Sequence, residues 1–138
     1  MIKLTIDQKP VSVTEGTTIL EAAEKACIDI PTLCHMKLHD MIIENKPGGC
    51  RICVVEISGL RNLAPACCTK VSEGSIIQTH SMRVINARRT VMELILSDHP
   101  AECLTCAKSG DCELQRMAHR LGIREIHCQG EQSTYKMD

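Results

Sequence analysis

Tryptophan and phenylalanine are absent from this 138-residue chain, and Tyr135 is its one tyrosine. Any packed core is therefore aliphatic, and single-stranded nucleic acid finds no row of aromatic faces to stack on. An excess of either charge is also missing. There are 16 Lys and Arg against 17 Asp and Glu, a formal net charge of −1. That balance excludes a broad phosphate-binding surface, and with it a nucleic-acid partner. No apolar run approaches the roughly 18 residues of a membrane span. Met1 to Pro10 alternates apolar and polar residues, where a secretory leader has an unbroken apolar stretch. These absences predict a cytoplasmic protein without a membrane span. No G-x-G-x-x-G, phosphate loop or nucleophile–base pair is present either, so the sequence offers no catalytic constellation.

Cysteine, by contrast, is abundant. The 10 cysteines are Cys27, Cys34, Cys50, Cys53, Cys67, Cys68, Cys103, Cys106, Cys112 and Cys128. In a small secreted chain an even count reads as a disulfide framework. Without a leader, the same count reads as metal or redox chemistry.

Residues 1–80 have the pattern of a small α+β unit. Ile2, Leu4 and Ile6 alternate with polar residues as in a half-buried strand. Gln8, Lys9 and Pro10 turn the chain, and Val11 and Val13 begin a second strand. Thr18 to Glu21 fits a capping box, with Leu20, Ala23 and Cys27 on one helical face, which places Cys27 in the core as a small apolar residue. Pro31 closes that segment, and Cys34 to Gly49 is loop-like. Further strands are expected over 51–57, 63–67 and 75–79, giving a mixed sheet with one helix across it. Residues 81–138 read as helical. Ser81 caps a long helix whose apolar face is Val84, Ala87, Val91, Leu94 and Ile95, ending at Asp98, His99 and Pro100. After a Cys-rich loop, a last helix carries Leu114, Met117, Ala118 and Leu121 on one face, with Gly122 as its C-cap.

Two ligand sets stand out. Cys34, Cys50, Cys53 and Cys67 form C-x15-C-x2-C-x13-C, with Cys68 competing for the fourth position. Thiolates are soft ligands that suit iron–sulfur clusters and zinc. Gly48 and Gly49 before Cys50 give the backbone freedom to wrap a bulky group. Zinc fits the donor types, although structural zinc sites usually show two short knuckles and only one pair here is close in sequence. His99, Cys103, Cys106 and Cys112 form H-x3-C-x2-C-x5-C on one loop between two helices. Zinc stays open there too, since three Cys and one His are a structural zinc set.

Particular stretches carry a family likeness. Thr18–Ala22 (TILEA), Ile30–Cys34 (IPTLC), Gly49–Val54 (GCRICV) and Ala66–Thr69 (ACCT) together resemble a plant-type ferredoxin domain. More closely, they resemble the form that opens iron-only hydrogenases and the large iron–sulfur subunit of NADH:quinone oxidoreductase. Glu93–Ser97 (ELILS), Cys103–Cys106 (CLTC) and Cys112–Gln115 (CELQ) resemble the one-His, three-Cys segment that follows it in the same families. The resemblance implies a β-grasp ferredoxin-like domain over 1–80 and a small helical cluster-binding domain over 81–138. It implies a 2Fe–2S cluster on Cys34, Cys50, Cys53 and Cys67, and a 4Fe–4S cluster on His99, Cys103, Cys106 and Cys112. Cys67 takes the fourth position by the family pattern, and strand alternation directs Cys68 to the opposite face. The first gap, filled by Met36 to Pro47, is longer than the family's. Exchanging a thiolate for neutral imidazole raises a cluster's potential, as in Rieske centres.

The expected function is a one-electron relay to clusters or flavin in partner subunits, as in a hydrogenase, a formate dehydrogenase or an electron-bifurcating NAD(P)-linked enzyme. A zinc-stabilised interaction module and an iron–sulfur redox sensor are the rival readings. The near-neutral charge favours a fixed subunit over a diffusible carrier. The chain stops at Asp138, near where family members continue, and so resembles their front end, either as a free-standing subunit or as part of something longer. Cys128 has no role in either motif. His35, His39, His80 and His119, with Lys70, Arg88 and Arg89, are expected on the surface.

Overall fold

A computed structural model describes residues 1–35 and 47–130. The chain forms two compact units, Met1–Arg88 and Arg89–Asp138. Among the described residues no helix is long and apolar enough to cross a membrane.

The first unit begins with a hairpin of β1 (Ile2–Ile6) and β2 (Lys9–Val13), paired antiparallel with Ile6 opposite Lys9. Its two-residue turn is Asp7-Gln8, both with positive φ, 46° and 68°. Such a turn follows the right-handed twist of the strands. The turn therefore comes earlier than Gln8 to Pro10, and Pro10 belongs to the strand. Helix α1 (Ile19–Lys25) opens on a complete capping box, in which the Thr18 amide donates to Glu21 Oε2 at 2.8 Å and the Glu21 amide to Thr18 Oγ1 at 3.3 Å. Strands β3 (Val54–Ile57), β4 (Ala64–Pro65) and β5 (Ile76–Gln78) follow. All three are shorter than the sequence pattern suggests. The sheet order is β2-β1-β5-β3-β4, with β5 parallel to β1 and every other pair antiparallel. An opening hairpin, a helix on the sheet and a final strand beside the first make the β-grasp arrangement, so the fold is α+β as expected.

The core under α1 is aliphatic. Ile6, Val13, Ile19, Val55 and Ile77 are essentially fully buried, each worth about 1.5–3 kcal/mol of transfer free energy. Cys27 is not among them. It is exposed, with φ 55°, just past the C-cap Ala26. The Cys27 amide donates to Glu24 O at 3.0 Å and the Ile28 amide to Ala23 O at 2.8 Å. This Schellman closure usually has glycine at the left-handed position. The helix thus ends before its apolar stripe reaches Cys27, which corrects the expected core role.

Helix α2 (Met82–Ser97) starts under a Ser81 cap, whose Oγ accepts from the Val84 amide at 3.3 Å. Its fully buried positions are Val84, Arg88 and Met92, with Ala87, Val91 and Ile95 half-buried and Leu94 exposed. The buried stripe is therefore turned from the one the apolar residues suggest, and it includes an arginine expected in solvent. Helix α3 (Glu113–Arg120) buries Met117. It closes through Gly122 (φ 68°), with the Ile123 amide on Ala118 O at 2.9 Å.

Candidate metal centres

The thiols of the first set meet two by two. The Cys34 and Cys50 thiols lie close enough to act on one another, as do those of Cys53 and Cys67. Cys53 and Cys67 are buried, whereas Cys34 and Cys50 are half-buried.

Backbone contacts bring them there. The Ala66 amide donates to Cys53 O at 3.1 Å, tying the strand that leaves Cys53 to the turn that carries Cys67. That turn also hangs on α1. The amides of Ile19 and Leu20, which have no partner within a helix, donate to Thr69 O at 2.9 Å and Ala66 O at 3.0 Å. The capping box thus positions a site residue far away in sequence. On the other side, Gly48 (φ 95°) and Arg51 (φ 64°) bend the backbone so that its amides face the sulfurs.

The electrostatics follow. Burial works to raise the Cys34 thiol, but the amides of Cys50, Gly48 and Gly49 and the Cys50 thiol hold it, on balance, below its usual value. Burial raises Cys50 despite amides from Ile52 and Cys34. Burial, then the Cys53 thiol and the nearby Cys68 and Cys34, push Cys67 up to about 12. A thiolate here needs a compensating positive centre, which a bound metal supplies.

Among the described residues no three His, Cys, Asp or Glu side chains close on one point as around a single ion. Two adjacent thiol pairs fit a group with two metal atoms, each taking two thiolates. Amides aimed at the sulfurs fit the hydrogen bonding that tunes iron–sulfur centres. Cys68 is exposed, with its thiol over Gly48. The reason is not strand alternation, because β4 ends at Pro65 and residues 66–68 form a turn. Of the long first gap, residues 36–46 lie outside the described residues, as does His39.

The second set lies within the second unit. His99, Cys103, Cys106 and Cys112 all line one cavity of about 390 Å³, walled on its apolar side by Leu96, Pro100, Leu114 and Ala118. His99 follows the end of α2, its amide on Leu96 O at 3.1 Å. The intervening loop is a chain of tight turns, with Thr105 on Glu102 O, Cys106 on Cys103 O, Ser109 on Cys106 O and Asp111 on Lys108 O. Gly110 donates to Gln115 Oε1 at 3.3 Å, fastening the loop to α3. Cys112 is the N-cap of α3 but makes no side-chain capping bond, which leaves its sulfur for the cavity. The positive end of the α3 dipole favours an anionic group there. Three soft donors and one imidazole around an apolar-walled space fit a cluster larger than one ion.

The apolar wall and Arg88 escaped the sequence reading. Arg88 stands four residues after Val84, on the same helical face. That spacing is the signal that marks it as buried. Its Nη2 donates to Val54 O at 2.8 Å, directly after Cys53.

Comparison with known proteins identifies the two regions by family. The family of 2Fe–2S iron–sulfur cluster binding domains matches residues 1–82, and the NADH-ubiquinone oxidoreductase-G iron–sulfur (4Fe–4S) binding region matches residues 88–127. The NADP-reducing hydrogenase subunit HndD of Solidesulfovibrio fructosivorans is 57% identical over all of this chain and 24% of its own length. The NADPH-Fe(3+) oxidoreductase subunit alpha of Geobacter sulfurreducens is 41% identical over 88% of this chain and 14% of its own. The chain thus spans a quarter or less of these curated relatives. A crystal structure of an NAD+-reducing [NiFe]-hydrogenase in the H2-reduced state superposes with a TM-score of 0.82, at 30% identity, over 98% of this chain and 55% of that one. The cofactors are one 2Fe–2S and one 4Fe–4S cluster, and the chain belongs to the family of 2Fe–2S iron–sulfur cluster binding domains, here followed by the NADH-ubiquinone oxidoreductase-G iron–sulfur binding region.

Proposed function

We propose that this chain is an electron-transfer subunit that relays single electrons between its two clusters and the clusters or flavin of partner redox subunits in a hydrogenase-like or NAD(P)-linked complex of the cytoplasm. A ferredoxin-like domain over 1–80 holds the 2Fe–2S cluster through Cys34, Cys50, Cys53 and Cys67. A helical domain over 81–138 holds the 4Fe–4S cluster through His99, Cys103, Cys106 and Cys112. The observation that carries the reading is the presence of two cluster-binding regions on one chain; the donor sets assigned to them here leave no position open for substrate.

Bound clusters supply one-electron chemistry. The chain's own residues supply the thiolate and imidazole donors, the amides of Gly48, Gly49 and Cys50 at sulfur, and an apolar wall beside the second set. The nucleotide partner is inferred from the relatives, whose names place one in NADP reduction and the other in NADPH-Fe(3+) oxidoreduction.

The test is iron, sulfide and zinc per chain after anaerobic purification, with low-temperature EPR of the reduced protein. About six irons and six sulfides with two distinct signals are expected. Stoichiometric zinc without iron would make the protein a structural interaction module.

A further inference from the structure

We infer that Arg88 tunes the reduction potential of the 2Fe–2S cluster, by holding a permanent positive charge against the backbone one residue after Cys53 inside the first unit. The inference rests on the ligand assignment proposed above. Arg88 is only 3% exposed, on a helix whose other apolar-face members are Val84 and Met92. Its Nη2 reaches the carbonyl of Val54, the residue after Cys53, at 2.8 Å. Cys53 is itself buried and paired with Cys67.

Two neighbouring contacts show that the helix is held here without Arg88. Ser81 Oγ donates to Glu56 Oε2 at 2.5 Å, and Arg83 lies 3.6 Å from Glu56. These fix the first turn of α2 to β3. A guanidinium stays protonated at any working pH, so the charge at Arg88 does not switch off. Adding one electron to a thiolate-held cluster deepens its negative charge, and net charge is among the quantities that set such potentials. A fixed cation in a poorly screened interior therefore favours the reduced form. The expected size is on the order of tenfold in the reduction equilibrium, or about 59 mV for one electron.

The experiment compares R88K, R88Q and R88M in the full chain, purified anaerobically. Iron per chain and thermal midpoint are measured first, then the potential of the 2Fe–2S EPR signal by redox titration. Met keeps the volume of the side chain and Gln keeps a donor for Val54 O, so whichever neutral variant loads iron at the wild-type level carries the test. The neutral variant should titrate about 59 mV below wild type, with R88K closer to wild type and the 4Fe–4S potential unmoved. A neutral variant at the wild-type potential overturns the inference, as does an R88K that falls as far as the neutral one, since geometry rather than charge would then be responsible. A wild-type protein without a 2Fe–2S signal sinks the cluster assignment itself and is told apart at the first step.

Discussion

The Sγ of Cys68 lies 3.2 Å from the point that a Cβ on Gly48 would occupy. Gly48 shortly precedes Cys50, the second residue of the first ligand set, and Cys68 directly follows Cys67, the fourth, so a thiol outside the set closes over the loop that leads to Cys50. Gly48 also holds φ 95°, where an L side chain is strained whatever the space. Gly48→Ala should cost about 1–3 kcal/mol and lower 2Fe–2S occupancy, read by thermal melts and iron per chain. A variant with wild-type melting and iron content would show that the loop tolerates a side chain.

Cys67 and Cys68 are neighbours in sequence but differ in burial. Cys67→Ser should remove about two irons per chain and the 2Fe–2S EPR signal. Cys68→Ser should keep both, since its thiol faces outward over Gly48. The reverse result would exchange the ligand assignment.

Because the second set is built on its own loop between α2 and α3, its loss should be separable. Cys103→Ser is expected to abolish the 4Fe–4S signal and leave the 2Fe–2S signal intact. His99→Cys should keep the 4Fe–4S cluster and lower its potential, because thiolate adds negative charge. An unmoved potential in EPR redox titration takes His99 off the ligand set.

Asp7 ties the hairpin turn to β5. It accepts from the Thr79 amide at 2.8 Å and from the hydroxyl of the fully buried Thr79. Burial works to raise its carboxyl, but Thr79 and the neighbouring His80 hold it, on balance, below its usual value of 3.8. A depressed folded-state value means stabilisation that is present above the unfolded pKa and is lost as pH falls through the folded one. Asp7→Asn, whose side chain still suits positive φ, should therefore cost about 1–3 kcal/mol at pH 7. The gap between variant and wild type should close at pH values below 3.8, as measured by denaturant midpoints.

Cys27 occupies the left-handed position where Gly122 serves α3. Replacing Cys27 by Gly should stabilise the first unit by about 1 kcal/mol, with no change in iron content. A destabilised variant would mean that the Cys27 side chain makes a contact worth more than the strain.

Short-range pattern made much of this legible. The capping box, the opening strands and the Gly122 stop each depend on residues within about six positions of one another, where hydrogen bonding and helical or strand period act directly. The turn at Asp7-Gln8 and the left-handed Cys27 were harder to read, because neither carries the glycine that normally marks positive φ.

By itself the sequence determined the donor chemistry. Soft thiolates at tight spacing and one imidazole, which are properties of residue type and local distance, leave an iron–sulfur cluster or zinc, and the family resemblance is what chooses the clusters. Tertiary structure alone decided which thiols meet. Cys53 and Cys67 become partners because β3 pairs with β4 and the free amides of α1 hold the intervening turn. Arg88 enters the first unit because its position on α2 is fixed by packing and not by its charge. Such contacts join segments tens of residues apart, and no local pattern encodes which distant carbonyl or sulfur a side chain will face.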